Sequence, residues 1–497
     1  MLLKKDPDAI RSYLEDSSNF KGGRADLVAA PEDINELSRF LSEANSKNMP
    51  VTISGGGTTT TGSRIPLGGA VVSLERLNKI ISVSSRDMSA VVQAGVTVDD
   101  LKAASDRNGL FYTSHPTEGT AFVGGTASTN ASGSRSFKYG PTRDYVKRLK
   151  MVLADGEIVD LKRAERYLRR GDSNMALPSG RIIKIPLPSY KMPNVKSAAG
   201  YFARDGMDLI DLFIGQEGTL SVIAELEVGL VKKPAKIFSA FVFFPAEENS
   251  WNFAADARDL SRKNRVSPGA SIIDALSIEY FGAGALSILR KKNANVPAVA
   301  GSAIFFEQEV LPGGSEEAVI DEWSRLMSKH GASLDNTWVA MNEAEARKFT
   351  ALRHDMPEAV NEIVRRNGFR KLSTDIAVPD SGFREMMGFY KSTFAGCGLD
   401  TVVFGHIGEN HVHGNILPRS IEEFGAAEET VMKLVKKGVS LGGTVSAEHG
   451  IGKIKHKYLE EMYGTSGVLE MSNIKKALDP NCILGRDNIF SSELLNR

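Results

Sequence analysis

The sequence of 497 residues predicts an α+β fold, and three observations support that prediction. The first half is rich in Gly, Ser and Thr and is predicted to form short strands with few helices between them. The segment VKKPAKI (231–237) has the character of a hinge, because the composition changes after it. From about 238 to 400, β-prone runs alternate with charged amphipathic helices, which is typical of a sheet covered on one face.

Local patterns predict the elements of the first half. A helix is predicted by four apolar residues at helical spacing, which are Ile34, Leu37, Phe40 and Leu41. The short strand Val51–Ser54 follows this helix and leads into a glycine-rich loop. Thr97, followed by Val-Asp-Asp, marks the N-terminus of a second helix, because a threonine hydroxyl can accept a hydrogen bond from a free backbone N–H group.

The second half has longer elements. The runs FSAFVFFP (238–245) and GSAIFFEQEVLP (301–312) predict strands, and SEEAVIDEWSRLMSKHG (315–331) predicts an amphipathic helix. Residues 351–379 are predicted to form a helix and then a strand. A C-terminal helix is predicted to stop at Pro480, because proline lacks the backbone N–H group that a helix needs.

The composition excludes several classes of function. Sixty-one basic and 61 acidic residues give a net charge of zero, so a small molecule is the expected partner and nucleic acid is not. Two cysteines, Cys397 and Cys482, favour a reducing compartment over a disulfide framework or zinc ribbon. No signal or transit peptide and no window of roughly 18 apolar residues is recognisable. We expect a cytoplasmic location, with peripheral membrane contact left open.

Three glycine-rich segments point to a long ligand that lies along the backbone. SGGGTTTTGSRIP (54–66) leaves a strand and exposes N–H groups that can form an anion-binding nest. It is neither a Walker loop nor a dinucleotide fingerprint, and alone it fits a solvated loop equally well. The segments SHPTEGTAFVGGTASTNASGSRSFKYGPTRDYV (114–145) and FIGQEGTLSVIAELEVGL (213–230) repeat this composition. Three such segments in one half of the chain favour an extended ligand.

The motifs GGGT, P-x7-GG-x4-N-x-x-G, YG-x-x-R-D and IG-x-EGTL together resemble the FAD-binding domain of the vanillyl-alcohol-oxidase/p-cresol-methylhydroxylase superfamily. The most similar branch is that of the FAD-linked D-lactate, glycolate and D-2-hydroxyglutarate dehydrogenases, over about 25 to 490. The resemblance implies a two-subdomain FAD-binding domain at 1–235 and an α+β substrate (cap) domain with an antiparallel sheet at 236–440. It also implies a C-terminal segment, 441–497, that returns to the FAD domain.

The same resemblance assigns the cofactor contacts. The pyrophosphate is expected on the glycine loop, that is on Gly55, Gly56, Gly57, Thr58, Thr59 and Thr60. The run from adenine to flavin is expected to be lined by Pro116, Thr117, Gly124, Gly125, Thr126, Asn130 and Gly133. Glu217, Val222 and Ile223 are expected to close over the adenosine, and Asn488 is a further expected cofactor contact. Many relatives attach the flavin through a histidine, but this glycine loop has none. We therefore expect non-covalent FAD, with His115 the only nearby candidate for a bond.

Half of the eight histidines lie in GHIGENHVHGN (405–415) and SAEHGIG (446–452). If Glu409-Asn410 is the two-residue loop of a hairpin, His406 opposes His413, close enough for both imidazoles to share one metal. The alternatives are proton transfer and ordinary histidines in the core or at the surface. A metal-dependent hydrolase is a further alternative, although the zinc-peptidase motif H-E-x-x-H is absent.

Relatives with these motifs bind a divalent metal through two histidines and the glutamate. By this resemblance, the metal ligands are expected to be His406, His413 and Glu448, and the acid/base is expected to be His449. The expected ion is zinc, manganese or iron. His411 stands where relatives commonly have another residue, so it is an alternative ligand. Adjacent residues of a strand face opposite ways, so Glu448 and His449 can serve one site only if their segment is irregular.

On the substrate side, Arg353 matches the arginine with which relatives clamp the substrate carboxylate. A solvated helix arginine is the alternative. Asn415 is expected to make a further polar contact. The 2-hydroxyglutarate branch tends to have a lysine at the position of Ser373, so a monocarboxylate is favoured, although Lys371 is close.

The resemblance thus implies an FAD-dependent dehydrogenase that oxidises a D-2-hydroxy acid, with a D-lactate-like one favoured. Hydride would pass from C2 to flavin N5 while His449 takes the proton of a metal-activated hydroxyl. The alternatives are a D-2-hydroxyglutarate or glycolate dehydrogenase, a non-redox relative of the ether-lipid synthases, and a non-catalytic subunit of an oxidase complex. The expected electron acceptor is a quinone, a cytochrome or an electron-transfer flavoprotein, and a homodimer is the candidate assembly.

Overall fold

The N-terminal part of the protein forms a small mixed sheet. The computed structural model describes residues 1–114, 116–310, 314–340 and 342–496. The first elements are β1 (Leu2–Lys4), α1 (Pro7–Ile10), β2 (Leu27–Ala30), α2 (Ile34–Ser46), β3 (Val51–Ser54) and β4 (Ala70–Ser73). The strand order is β1-β2-β4-β3, in which only the β1–β2 pair is antiparallel. The predicted helix and the predicted strand correspond to α2 and β3.

The middle of the chain adds a five-stranded antiparallel sheet and several short ribbons. Its strands are β5 (Ile80–Ser84), β6 (Ser89–Gln93), β7 (Leu110–Phe111), β8 (Val146–Val152), β9 (Ile158–Lys162), β10 (Tyr167–Leu168), β11 (Asn174–Ala176), β12 (Ile182–Lys184), β13 (Met207–Asp208), β14 (Val222–Gly229) and β15 (Val231–Lys232). Its helices are α3 (Val98–Asp106), α4 (Val123–Thr129), α5 (Ser136–Tyr139) and α6 (Leu209–Leu212). The sheet order is β5-β6-β14-β8-β9, and β7 pairs with β15, β10 with β13, and β11 with β12. As predicted, Thr97 caps α3, since its Oγ1 accepts from Asp100 N at 3.1 Å.

The second half forms an eight-stranded antiparallel sheet. Its strands are β16 (Lys236–Phe244), β17 (Ala275–Phe281), β18 (Ser302–Val310), β19 (Trp338–Val339), β20 (Leu372–Ser373), β21 (Ile376–Ala377), β22 (Thr401–Gly405) and β23 (His411–Ile416). Its helices are α7 (Glu247–Val266), α8 (Ala283–Lys292), α9 (Glu316–Lys329), α10 (Glu343–Asn367) and α11 (Phe383–Gly396). The order is β19-β16-β18-β17-β22-β23-β20, and β21 also pairs with β23.

Two long helices and several short turns complete the described chain. The helices are α12 (Ile421–Ser440) and α13 (His456–Leu478), and α13 is kinked at Gly464 and ends before Pro480 as predicted. The 3₁₀ turns are Arg11–Tyr13, Thr142–Tyr145, Leu334–Asn336, Asp380–Gly382, Ile407–Glu409 and Ser492–Asn496. Within the described residues no helix is both long and apolar enough to cross a membrane.

Helices cover both faces of the large sheet, so the prediction of one covered face was wrong. On one face, Phe241 of β16 shares a core cluster with Met356 of α10. On the other face, Phe244 packs against Phe253 of α7 with ring centroids 5.3 Å apart, and Phe253 contacts Trp323 of α9. The cause is visible in the strands themselves: β16 is buried at seven consecutive positions, as expected for a sheet covered on both sides.

Strand β23 presents its histidines on one face only. His411, His413 and Asn415 alternate with Val412, Gly414 and Ile416, and successive side chains of a strand point to opposite faces. The apolar face packs toward α11, where a Cβ atom at Gly414 would lie 2.7 Å from Tyr390 Cε1 and 2.8 Å from Phe394 Cζ. The imidazoles therefore point away from α11.

Substitution of Gly414 tests this packing. Gly414→Ala is expected to lower the free energy of unfolding by about 1–3 kcal/mol, because the added methyl group overlaps two aromatic rings. Gly388→Ala in α11 is the matched control, since a Cβ atom there meets no atom within 4 Å. That control is expected to stabilise the helix by roughly 0.5–1 kcal/mol. Chemical denaturation measures both, and equal stability of the two variants would contradict the described packing.

Candidate active site

The three glycine-rich segments converge in space. A Cβ atom at Gly56 of the first segment would lie 2.7 Å from Thr120 O of the second. The second and third segments are joined by Glu217 N, which donates to Ser128 O at 2.7 Å. Asn488 links the first and third segments, because its Nδ2 donates to Ser63 O at 2.8 Å and to Glu217 O at 3.0 Å. The residues predicted to hold one long ligand therefore lie side by side.

Several positions in the glycine-rich segments have the backbone conformation, open space or free polar groups that a bound ligand needs. Gly57 has a φ of +79°, and the Thr59 hydroxyl bonds to those of Thr61 and Ser63 at 3.2 Å each. A Cβ atom at Gly125 would meet no atom within 4 Å, so open space lies beside α4. Ser132 Oγ is buried and has no hydrogen-bond partner in the part of the chain that the structure describes. Open space and a free hydroxyl in these segments fit FAD.

Other predicted cofactor residues have structural contacts of their own. Gly124 packs against β6, since its N donates to Ala94 O at 2.8 Å. Asn130 ends α4 in the left-handed conformation, and its Oδ1 accepts from Arg143 N at 3.0 Å. Val222 and Ile223 are buried in β14. The remaining predicted residues of this group belong to the same segments: Gly55, Thr58, Thr60, Pro116, Thr126 and Gly133. His115, the candidate for a covalent bond, lies outside the described residues.

The Glu217 carboxylate fastens the C-terminal loop to the glycine-rich segments. It accepts hydrogen bonds from Ile451 N and Gly452 N, each at 2.7 Å. Burial raises the pKa of Glu217 to about 7, although these two N–H groups oppose the shift. The same loop reaches the first segment, where Lys453 N donates to Thr61 O at 2.9 Å. The segment that contains Glu448 and His449 is therefore fixed against the predicted cofactor segments.

The loop between β22 and β23 is not the predicted two-residue hairpin. Residues 407–409 form a 3₁₀ turn and Asn410 follows in the left-handed conformation, with a φ of +54°. Phe404 pairs with His413, so His413 does not oppose His406 and the predicted register was wrong. Glu-Asn is a poor pair for a tight hairpin turn that needs two residues with positive φ, and the chain uses a longer connection instead.

Two imidazoles and one carboxylate nevertheless converge. His406 Nε2 and His413 Nε2 each lie 3.2 Å from Glu448 Oε1, and all three side chains are buried. Ligand atoms of a tetrahedral site with bonds of about 2.0–2.1 Å lie roughly 3.3 Å apart, so this spacing suits a shared ion. Burial would raise the pKa of Glu448, but His406 and Lys196 hold it well below its usual range.

His411 faces a different carboxylate. Its Nε2 lies 2.9 Å from Asp375 Oδ1, and its ring packs 4.6 Å from that of His413, measured between centroids. Burial lowers the pKa of His411 to about 3, and the neighbouring His413 adds to that shift. His411 is therefore neutral. It lies within reach of the cluster formed by His406, His413 and Glu448, and neither of its ring nitrogens has a hydrogen-bond partner among the described residues.

His449 is the accessible imidazole of the site. Its side chain is 34% exposed, against 11% for His413. Its Nε2 lies 3.5 Å from Glu448 Oε1, while its Nδ1 lies 3.4 Å from Asp375 Oδ2. Burial lowers the pKa of His449 to about 4, against the pull of Asp375 and Glu448, so the ring is neutral at pH 7 and able to accept a proton. The irregular backbone that this pairing needs is present, with positive φ at Gly450 and Gly452.

Glu279 joins the imidazole cluster to the predicted substrate arginine. Its Oε1 lies 2.6 Å from His406 Nδ1, and its Oε2 accepts from Arg353 Nη2 at 3.3 Å. Arg353 Nη1 donates to Thr117 Oγ1 at 2.6 Å. With a side chain only 11% exposed, Arg353 is not a solvated helix arginine. A carboxylate on the outer nitrogen of a histidine is the usual support of a metal-binding imidazole.

Asn415 lies on the same face of β23 as His413. It is fully buried, and its Nδ2 donates to His413 O at 3.1 Å and to Val402 O at 3.4 Å. Its Oδ1 has no partner in the described part of the chain. The amide therefore supports the strand, and its contact with substrate stays a prediction.

Known sequences provide an independent comparison. Residues 25–162 match the family described as FAD binding domain, and residues 271–489 match the family described as FAD linked oxidases, C-terminal domain. The chain belongs to the FAD-linked oxidases. The prediction of an FAD-dependent oxidoreductase is therefore confirmed, whereas the division into three domains stays a prediction.

Relatives of this FAD-linked oxidase match it over almost its whole length. Glycolate oxidase subunit GlcD of Bacillus subtilis is 29% identical, over 95% of this chain and 90% of its own. D-lactate dehydrogenase of Anaerostipes hadrus is 26% identical, over 94% and 90%. Among solved structures, 4-ethylphenol oxidase from Gulosibacter chungangensis superposes with a TM-score of 0.69 at 15% identity, covering 99% and 95%. That likeness confirms the predicted fold.

Some residues of this FAD-linked oxidase site were not predicted from sequence. Glu279 had a signal, because a glutamate in the middle of the apolar strand ALSIEYF must find a partner on folding. Asp375 lies two residues after Ser373, and nothing in its local sequence predicted a role for it. Lys455, whose Nζ donates to Asp375 Oδ2 at 2.7 Å, had no local signal, and neither did Lys196 and Glu409, because only the fold brings them to the site.

Proposed function

We propose that this protein is an FAD-dependent dehydrogenase that oxidises a D-2-hydroxy acid to the 2-oxo acid, with D-lactate or a similar monocarboxylate favoured. The observation on which this rests is the convergence of His406, His413 and Glu448 beside the neutral His449, on a loop fastened to the glycine-rich segments. When bound, the flavin supplies the hydride acceptor and a divalent cation supplies positive charge beside the hydroxyl.

The protein's own residues bind the acid and remove its proton. Arg353 binds the substrate carboxylate, a role that suits a planar guanidinium already held beside the site by Glu279. His449 Nε2 accepts the hydroxyl proton, since the ring is neutral at pH 7 and is the most accessible of the four imidazoles. Asp375 lies on the other side of that ring, with its Oδ2 3.4 Å from His449 Nδ1, and the same oxygen accepts from the backbone N of His449 at 3.0 Å.

His406, His413 and Glu448 are proposed to hold the cation, which is zinc, manganese or iron. Two imidazole nitrogens and a carboxylate oxygen suit all three ions. His413 Nδ1 has no hydrogen-bond partner among the described residues, so this ring is not committed elsewhere. Glu279 fixes the proton of a neutral His406 on Nδ1 and leaves Nε2 free to bind.

A dicarboxylic acid such as D-2-hydroxyglutarate is the second candidate substrate. Lys371 is half-buried two residues before Ser373, and burial lowers its pKa to about 8. No carboxylate of the described chain forms an ion pair with it. A second substrate carboxylate would supply that partner.

Anaerobic reduction tests the proposed function. The purified flavoprotein mixed with D-lactate is expected to lose its visible flavin absorbance, whereas L-lactate leaves it unchanged. Chelation of the cation, or Glu448→Gln, is expected to slow bleaching at least about 100-fold, because the charge beside the hydroxyl is lost. Glu225→Gln is the matched control, since Glu225 pairs with Arg148 on the antiparallel sheet and touches none of these residues.

The outcomes separate the candidates. Faster bleaching by D-2-hydroxyglutarate than by D-lactate would select the dicarboxylate. A yellow protein that no 2-hydroxy acid bleaches would contradict the dehydrogenase proposal and favour a non-catalytic subunit. Full activity after complete removal of divalent cations would contradict the proposed role of the metal.

Cation affinity is expected to rise with pH. Ligation through Nε2 needs a neutral imidazole. Burial would lower the pKa of His406, but Glu279 and Glu448 raise it to about 9, so the free ring is protonated at neutral pH. Below that pH the cation displaces a proton, so affinity should increase roughly tenfold per pH unit. Metal-buffered titrations at several pH values measure this slope. In Glu279→Gln the rise of cation affinity should occur at lower pH, because Glu279 no longer raises the pKa of His406. A cation affinity that does not depend on pH would contradict the proposal that His406 is a ligand.

A further inference from the structure

Lys196 is a buried lysine beside the site, and it has no role in the proposed reaction. Its side chain is 5% exposed, and its Nζ donates to Glu448 Oε2 at 2.8 Å and to Glu409 Oε2 at 3.0 Å. A third contact is with Ser136 Oγ of α5 at 3.2 Å. One ammonium therefore touches the C-terminal loop, the turn between the histidines, and a short helix of the glycine-rich half.

The two oxygens of Glu448 have different partners. Oε1 faces His406 and His413, while Oε2 faces Lys196. Rotation of the carboxylate would take the buried Oε2 away from the Lys196 ammonium, and an unpaired buried charge is costly in free energy. In this arrangement one oxygen of Glu448 faces the imidazoles while the other contacts Lys196.

Glu409 connects Lys196 to the turn between the histidines. It lies in the 3₁₀ turn between His406 and His411, and its Oε2 also accepts from Ser136 Oγ at 2.5 Å. Burial alone would lower the pKa of Lys196, but Glu409 and Glu448 raise it above its ordinary value. The ammonium is therefore charged at neutral pH and compensates the buried carboxylate of Glu448 and the partly buried one of Glu409.

We infer that Lys196 is a positioning residue that holds Glu448 as a one-oxygen ligand and fixes the histidine turn relative to it through Glu409. This inference rests on the metal site of the proposed function and adds a residue that sets its geometry. The competing explanation is an ion pair that only joins two parts of the fold, and the experiment must separate the two.

Cation affinity of lysine variants of the flavin-loaded protein provides the test. Lys196→Met is expected to lower the affinity for Zn²⁺ about 10–100-fold, as loss of a residue that orients a ligand usually does. Lys196→Arg, which keeps the charge, is expected to recover most of that loss. Lys138→Met is the matched control, because Lys138 also pairs with two carboxylates, Asp274 and Glu309, away from the imidazoles.

The absorption spectrum of the Co²⁺-loaded protein gives a readout that a purely structural lysine would not change. Cobalt d–d bands depend on the number and kind of ligands. In Lys196→Met the freed Oε2 of Glu448 can approach the ion, so the bands should shift and change intensity. Lys138→Met should give the wild-type spectrum. If Lys196→Met does not accumulate as folded flavoprotein, Lys196→Gln takes its place with the same expectations.

Each outcome decides a separate statement. Reduced affinity and an altered Co²⁺ spectrum in Lys196→Met, with recovery in Lys196→Arg, would support the inference. Wild-type affinity and spectrum in Lys196→Met, beside a wild type that does bind the ion, would overturn the inference alone. A wild type that binds no divalent cation at His406, His413 and Glu448 would overturn the proposed metal site as well.

Discussion

The Glu448 carboxylate is the interaction on which the arrangement of this site depends. Its Oε1 lies within 3.5 Å of three imidazoles and its Oε2 lies 2.8 Å from an ammonium. Such a buried carboxylate stays ionised only because these partners surround it, and the partners in turn are held close by its charge. Segments around Lys196, His406 and His449, which are far apart in the sequence, are therefore brought to one point.

The backbone that follows Glu448 packs against the glycine-rich segments and so places Glu448 beside them. Gly450 and Gly452 adopt positive φ, and a Cβ atom at Gly452 would lie 2.2 Å from Thr61 O of the glycine loop. Glu217 holds the same loop from the other side through two backbone N–H groups. The proposed proton acceptor is thus placed beside the proposed cofactor segments, and such proximity is what the transfer of a proton and a hydride from one substrate requires.

Much of this arrangement could be predicted from local sequence, and the reason is physical. The alternation HVHGNI places the imidazoles on one face of a strand whatever its partners are, and the glycine-rich segments are recognisable because few sequences expose so much backbone. The register of the histidine turn could not be predicted, because it depends on how Ile407 and Gly408 pack against distant elements. Lys196 was missed for the same kind of reason, since a lone lysine in sequence says nothing of the carboxylates that the fold brings to it.

The most direct test of this account is the position of the cation in a crystal of the metal-loaded flavoprotein, located by anomalous scattering. The account predicts one peak within about 2.0–2.2 Å of His406 Nε2, His413 Nε2 and a single oxygen of Glu448. A peak bound elsewhere, or crystals that remain free of any such peak after metal loading at neutral pH, would contradict it.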